Sequence, residues 1–168
     1  MYSLGDYVVY GSHGVCRILE LEERVVNRKK LQYYVLEPVE QVGARYLIPV
    51  HNEVAVGKLR PVLSREELDA LILSKEVRDD AWIPDENLRK QTYRELMSSG
   101  DRVGMIRMIG SLYRHKEEQA ALGRKFHMCD DNFLRDAQKL LSSEFAHVLG
   151  IEPNAVGDYV LSRIGQKV

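Results

Sequence analysis

The chain has 168 residues, 45% of them hydrophobic and 29% charged, with a formal net charge of −1, a composition ordinary for a globular protein of one domain or two small ones. No apolar stretch approaches the ~20 residues that span a bilayer, and the opening Met1–Asp6 has neither the basic start nor the apolar core of a signal peptide. Cys16 and Cys129 are too few for a disulfide scaffold, so a reduced, cytoplasmic protein with no membrane contact is expected.

From Met1 to about Leu59 the pattern is strand-like. Tyr7–Tyr10 is β-prone, and Gly11-Ser12-His13-Gly14 reads as a turn returning the chain into Val15–Leu21. Glu22–Val26 extends that strand, and Asn27–Lys30 is expected to form a polar hairpin end. Leu31–Pro38 and Arg45–Val50 supply two further strands, joined by a loop carrying Gly43. Four or five short strands with tight connections predict a small curled sheet or barrel. A core of that size is marginal alone, so docking onto the rest of the chain or a partner is expected.

The periodicity changes at Ser64. Ser64 followed by Glu67 is a capping-box signature that opens a helix through about Leu73. An acidic, proline-marked connector over 76–86 follows and holds Trp82, the single tryptophan of the chain. A helix is predicted from about Asp85 to Ser98, stopped by Gly100. Asp101 caps the next, in which Val103, Ile106, Ile109, Leu112 and Tyr113 recur at helical spacing. Asp130 or Asp131 is expected to cap a long helix with Phe133, Leu134, Ala137, Leu140, Leu141, Phe145 and Val148 on one face, ended by Gly150. Pro153 fits the first turn of a final helix to about Ile164. The fold class is therefore α+β in two domains. Residues 1–60 form a small β-barrel or sheet, and 61–168 form an all-α bundle.

Catalytic constellations are missing from the sequence. Ser12 and His13 are adjacent turn residues and cannot take up triad geometry with each other. His13 with Cys16, and His127 with Cys129, lack the paired spacing of a structural zinc site. No glycine-rich phosphate loop is present; Gly104 and Gly110 fall within a helix and are expected to permit close helix packing. Neither a cofactor nor a metal is expected, and the chain reads as a non-enzyme.

Charge is distributed unevenly behind the near-neutral total. Residues 64–86 carry eight acids and three bases, and 88–127 carry nine bases and four acids. An acidic connector before a basic helical body can engage phosphate without an alkaline isoelectric point. Arg89, Lys90 and Arg94 follow Trp82 closely. Arg107, Arg114 and Lys116 lie on the next helix, with Arg124, Lys125 and His127 after it. Such groups position a protein on a duplex without reading its sequence. An aromatic beside them can wedge into a base step or serve as a stacking platform. The other reading of the same residues is that Trp82 caps the helical core and the bases form solvated helix faces.

With these motifs the chain resembles the CarD/CdnL family of bacterial transcription regulators. The resemblance rests on Gly5-Asp6-Tyr7-Val8-Val9-Tyr10, His13-Gly14, and Ile48-Pro49-Val50 followed by Asn52. In the helical half it rests on the Trp82 junction, Ser99-Gly100-Asp101 and Leu112-Tyr113-Arg114. Lys125 through Phe145 is similar to members from Gram-positive bacteria. The opening motif is shared with the polymerase-interacting module of transcription-repair coupling factors.

The resemblance implies a Tudor-like β-domain that binds the β-subunit lobe of RNA polymerase. It further implies a helical domain that meets promoter DNA at the upstream edge of the melted region. On that reading Trp82 is a minor-groove wedge that stabilises the open promoter complex. Arg89, Lys90, Arg94, Arg114 and Lys125 contact DNA, and Arg24, Leu47 and Pro49 contact polymerase. Leu47 stands where some relatives carry a contacting arginine, so that contact is either lost or apolar. Ile83–Glu86 intervenes where some relatives place two arginines, which moves phosphate contacts about one helical turn along. A monomer associated with the nucleoid through polymerase is implied. The alternative is an interaction adaptor that docks on polymerase or another partner without touching DNA.

Overall fold

The computed structural model describes residues 2–78 and 82–165; the Asp79–Asp80 carboxylate pair and Ala81 lie outside the described residues. The chain divides into two compact units, Met1–Val62 and Leu63–Val168.

The first unit is an antiparallel sheet of β1 (Tyr7–Tyr10), β2 (Val15–Val26), β3 (Lys29–Pro38), β4 (Tyr46–Pro49) and β5 (Leu59–Pro61), in the spatial order β4-β3-β2-β1-β5. Strand alternation explains its core. Val8, Cys16, Ile18, Tyr34, Leu36, Ile48 and Leu59 pack together on one face, all 4% exposed or less. Each such side chain contributes roughly 1.5–3 kcal/mol by leaving water.

Two connections decide the register. Gly14, at φ 81° and ψ −157°, takes a conformation essentially confined to glycine and turns the chain from β1 into β2. Asn27 and Arg28, with φ of 51° and 62°, close a two-residue hairpin of the kind whose twist matches its strands. The turn is thus tighter than the polar run Asn27–Lys30 suggests. Lys29 and Lys30 already belong to β3, opposite Val26 and Val25. Between β4 and β5 lies a short helix, α1 (Glu53–Val56), capped by Asn52 Oδ1, which accepts from the Ala55 amide at 3.1 Å. Elements of three and four residues carry no readable period, and α1 and β5 are absent from the sequence-based expectation for that reason.

The second unit comprises α2 (Arg65–Leu73), α3 (Glu86–Ser99), α4 (Arg102–Ala121), α5 (Met128–Leu149) and α6 (Val156–Gly165). The predicted capping box forms: Ser64 Oγ accepts from the Glu67 amide at 3.1 Å, and Glu67 Oε1 accepts from the Ser64 amide at 3.2 Å. Asp85 and Asp101 cap α3 and α4 in the same manner, accepting from the amides of Leu88 and Gly104. Met105, Met108 and Leu112 of α4 pack into one core with Leu134, Ala137, Leu141 and Phe145 of α5, Leu68 and Ile72 of α2, and Tyr93 of α3. Ile106 and Ile109 are only partly buried and instead line an apolar cavity of about 590 Å³ with Leu141, Phe145, Val156 and Val160.

Two features depart from expectation. Helix α5 starts at Met128 with His127 at its cap position and no side-chain cap bond; Asp130 and Asp131 fall in its first turn. Asp130 cannot cap the helix because its carboxylate is drawn inward to an arginine. Gly104 does permit a close approach: a methyl there would lie 2.5 Å from Leu96 Cδ2 of α3. Gly110 does not, since its nearest neighbours belong to Arg114 of its own helix.

Candidate nucleic-acid and polymerase interfaces

Trp82 precedes α3 and is half-buried against the helical core rather than held out from it. The acidic, proline-marked surroundings do not keep its ring in solvent. His115, in the fourth turn of α4, stacks on the indole with centroids 3.8 Å apart and planes 17° from parallel. The Arg89 guanidinium lies over the same ring system, 4.5 Å from its centroid. Phe126, which precedes α5, sits 6.1 Å from the His115 ring.

Arg89 fixes this arrangement. Its Nε and one terminal nitrogen donate to the two oxygens of Asp130 at 2.9 and 3.0 Å. Its other terminal nitrogen donates to the carbonyls of Ile83 and Pro84 at 3.0 and 3.4 Å. One planar fork therefore joins α3 to α5 and holds the backbone immediately after Trp82. Arginine suits this role because its donors are rigidly arranged and its face stacks on aromatics. The side chains of Arg89 and Asp130 are 5% and 1% exposed. Arg89 is consequently withdrawn from the expected DNA-contacting set. With four of its five N–H donors committed and its side chain 5% exposed, this guanidinium is not presented to phosphate.

The other expected basic residues lie at the surface or near it. Lys90 and Arg94 are one turn apart on α3, and Lys90 bonds Glu86 at 2.9 Å. That hydrogen bond raises the Lys90 pKa and lowers that of Glu86. Arg114 is exposed on α4, next to His115, with a terminal nitrogen 3.4 Å from Ser111 Oγ. Lys125 is exposed in the connection before α5. Lys116 donates to Asp131 at 2.8 Å, which holds that carboxyl below its usual range, and it lies 5.8 Å from the Phe126 ring. Exposed pairs of this kind contribute little to stability, so a phosphate can replace the carboxylate at small cost. The stack of Trp82 on His115, with Phe126 beyond the imidazole and Asp130 holding Arg89, was not legible as such; no spacing rule links residues 82, 115 and 126.

In the sheet unit the pairing register places the expected polymerase contacts together. Arg24 stands opposite Leu31, Glu22 opposite Tyr33 and Glu20 opposite Val35, and on the far side of β3 Tyr33 stands opposite Pro49 and Val35 opposite Leu47. Residues directly opposite share a face, and side chains alternate along each strand. Arg24, Leu47 and Pro49 thus lie on one face, opposite to the packed core. That face presents an apolar band of Leu31, Tyr33, Leu47 and Pro49 bordered by the charges of Glu20, Glu22 and Arg24. Arg24 Nε bonds Glu22 at 2.8 Å, and both side chains are substantially exposed.

Among the described residues no group of three or more His, Cys, Asp or Glu side chains is arranged to hold a metal ion. None of the described helices is long and apolar enough to cross a membrane.

The structure is an antiparallel sheet module followed by a helical unit that carries Trp82 against its core. The family described as "CarD-like/TRCF RID domain" matches residues 2–63, which coincide with the sheet unit, and this match supports a CarD-like family. Along its length the chain is similar to the "Putative transcription factor YdeB" of Bacillus subtilis (strain 168), with 23% identity over 172 residues that cover 95% of this chain and 99% of the relative. The role these likenesses support is transcription-related and polymerase-interacting.

Proposed function

We propose that the protein docks on the β-subunit lobe of RNA polymerase through the outer face of its sheet and stabilises the open promoter complex through its helical unit. Trp82 acts as a minor-groove wedge at the upstream edge of the bubble. Lys90, Arg94, Arg114 and Lys125 supply phosphate contacts that position the protein without reading sequence. The observation that carries this reading is the mounting of Trp82. A large ring with one rigid fork behind it and exposed bases on the neighbouring elements suits a static insertion better than a mobile contact.

The energetics are consistent with a weak but effective contact. Unstacking a base step costs a few kcal/mol, so a wedge acts best where melting has already disturbed the stack. Docking through the sheet raises the effective concentration of the helical unit near DNA. Low intrinsic, salt-sensitive affinity then suffices, in keeping with a net charge of −1. The protein acts as a monomer in the cytoplasm, in association with polymerase on the nucleoid.

The engagement of the indole by His115 and Arg89 also favours a second reading, in which Trp82 is a structural cap and the protein is an adaptor with no DNA contact. Open-complex lifetime with the cognate polymerase separates the two. The wedge reading requires Trp82→Ala to shorten the lifetime while the fold and polymerase binding persist. An unchanged lifetime leaves the adaptor.

A further inference from the structure

We infer that His115 is a positioning residue for Trp82, providing the stacking surface that sets the plane in which the indole meets DNA. The inference rests on the wedge reading above for its purpose, but its geometry stands independently of that reading. A ring pair 3.8 Å apart and 17° from parallel is a full stack rather than an edge contact.

The imidazole is itself held. Its Nε2 lies 3.3 Å from Gln119 Nε2, and its Nδ1 lies 4.0 Å from Glu118 Oε2. Both partners belong to the following turn of α4, so the ring orientation is inherited from a helix anchored in the core by Met105, Met108 and Leu112. Phe126 stands behind it at 6.1 Å.

Arg89 and His115 have different tasks. Arg89 pins the backbone after Trp82 through the carbonyls of Ile83 and Pro84, which sets where the residue is, while its guanidinium also covers the indole at 4.5 Å. His115 engages only the ring, which sets how the residue is turned. With its flat surface stacked on His115, the indole has no need to reorganise before use. It offers its edge to a base step as a preset wedge, and the ordering cost that a free side chain meets on binding is reduced.

The single tryptophan of the chain makes the inference directly readable, because all intrinsic indole emission reports on Trp82. The experiment compares full-length wild type, His115→Ala, His115→Phe and Trp82→Ala. It measures indole emission, acrylamide quenching and open-complex lifetime, with thermal melting to verify the fold. In His115→Ala the emission is expected to brighten and shift to the red and quenching to rise, while melting stays cooperative. Loss of one aromatic stack is expected to shorten the open-complex lifetime roughly threefold. His115→Phe, which restores a flat ring, is expected to recover both the emission and the lifetime.

Unchanged emission and quenching in His115→Ala overturns the positioning role. Altered emission with a wild-type lifetime, where Trp82→Ala does shorten it, overturns the link between the stack and DNA. An unchanged lifetime in Trp82→Ala overturns the wedge reading and with it the purpose assigned to the stack; the emission data then still decide whether His115 orients the ring.

Discussion

Arg89 and Asp130 show how a single side chain can be committed to structure although its sequence context suggests binding. Both groups are almost fully enclosed, and their mutual hydrogen bonds offset the loss of hydration. Removing one member leaves the other as an uncompensated buried charge, which typically costs 3–5 kcal/mol. Asp130→Ala is expected to destabilise the protein by about that amount in urea unfolding and to shift Trp82 emission to the red by releasing Arg89. A loss below about 1 kcal/mol would show that the pair is not the clamp described. His147 belongs to the same scale. Burial pushes its pKa below the usual histidine value, against the opposing pull of Glu144. The native state therefore favours the neutral ring, and the unfolded chain binds the extra proton. Stability from this residue is complete above about pH 6.5 and declines as pH falls through that value toward the lower native pKa. His147→Gln is expected to flatten the melting temperature between neutral pH and about pH 5. Identical profiles for variant and wild type would refute it.

At the scale of elements, what could be read from the sequence depended on whether the signal was local. The Ser64–Glu67 box, the Asp101 cap and the Gly100 and Gly150 stops are short-range chemistry and formed as expected. The start of α5 did not follow its local signal, because Asp130 serves Arg89, 41 positions away. The stack of Trp82 on His115 was equally hidden, since it depends on how α3, α4 and α5 converge. In the sheet, the alternation of β2 and β3 was legible. That Arg24, Leu47 and Pro49 share a face became clear only with the register and the bulge between Ile18 and Glu20. This face carries its own expectation. Arg24→Glu places three acids in a row with Glu20 and Glu22 and should weaken capture of the isolated polymerase β lobe. Melting of the helical unit should be untouched. Capture equal to wild type would remove Arg24 from the docking surface.

At the scale of the whole molecule, the division into Met1–Val62 and Leu63–Val168 separates two tasks that differ in physics. On the proposed reading, the sheet unit offers a surface of fixed chemistry to a protein, and the helical unit offers one rigid ring and several exchangeable cations to a nucleic acid. Linking them means that neither contact has to be strong alone. The proposed attachment to polymerase would also replace the long-range attraction to DNA that a strongly basic protein provides, which a near-neutral chain lacks. The most direct test of this account is a permanganate footprint of polymerase–promoter complexes with wild-type or Trp82→Ala protein at matched occupancy. Wild type is expected to extend the lifetime of reactive thymines at the upstream edge of the bubble, and Trp82→Ala to lose that extension while remaining bound to polymerase. Equal protection and equal lifetimes for the two proteins would contradict the account.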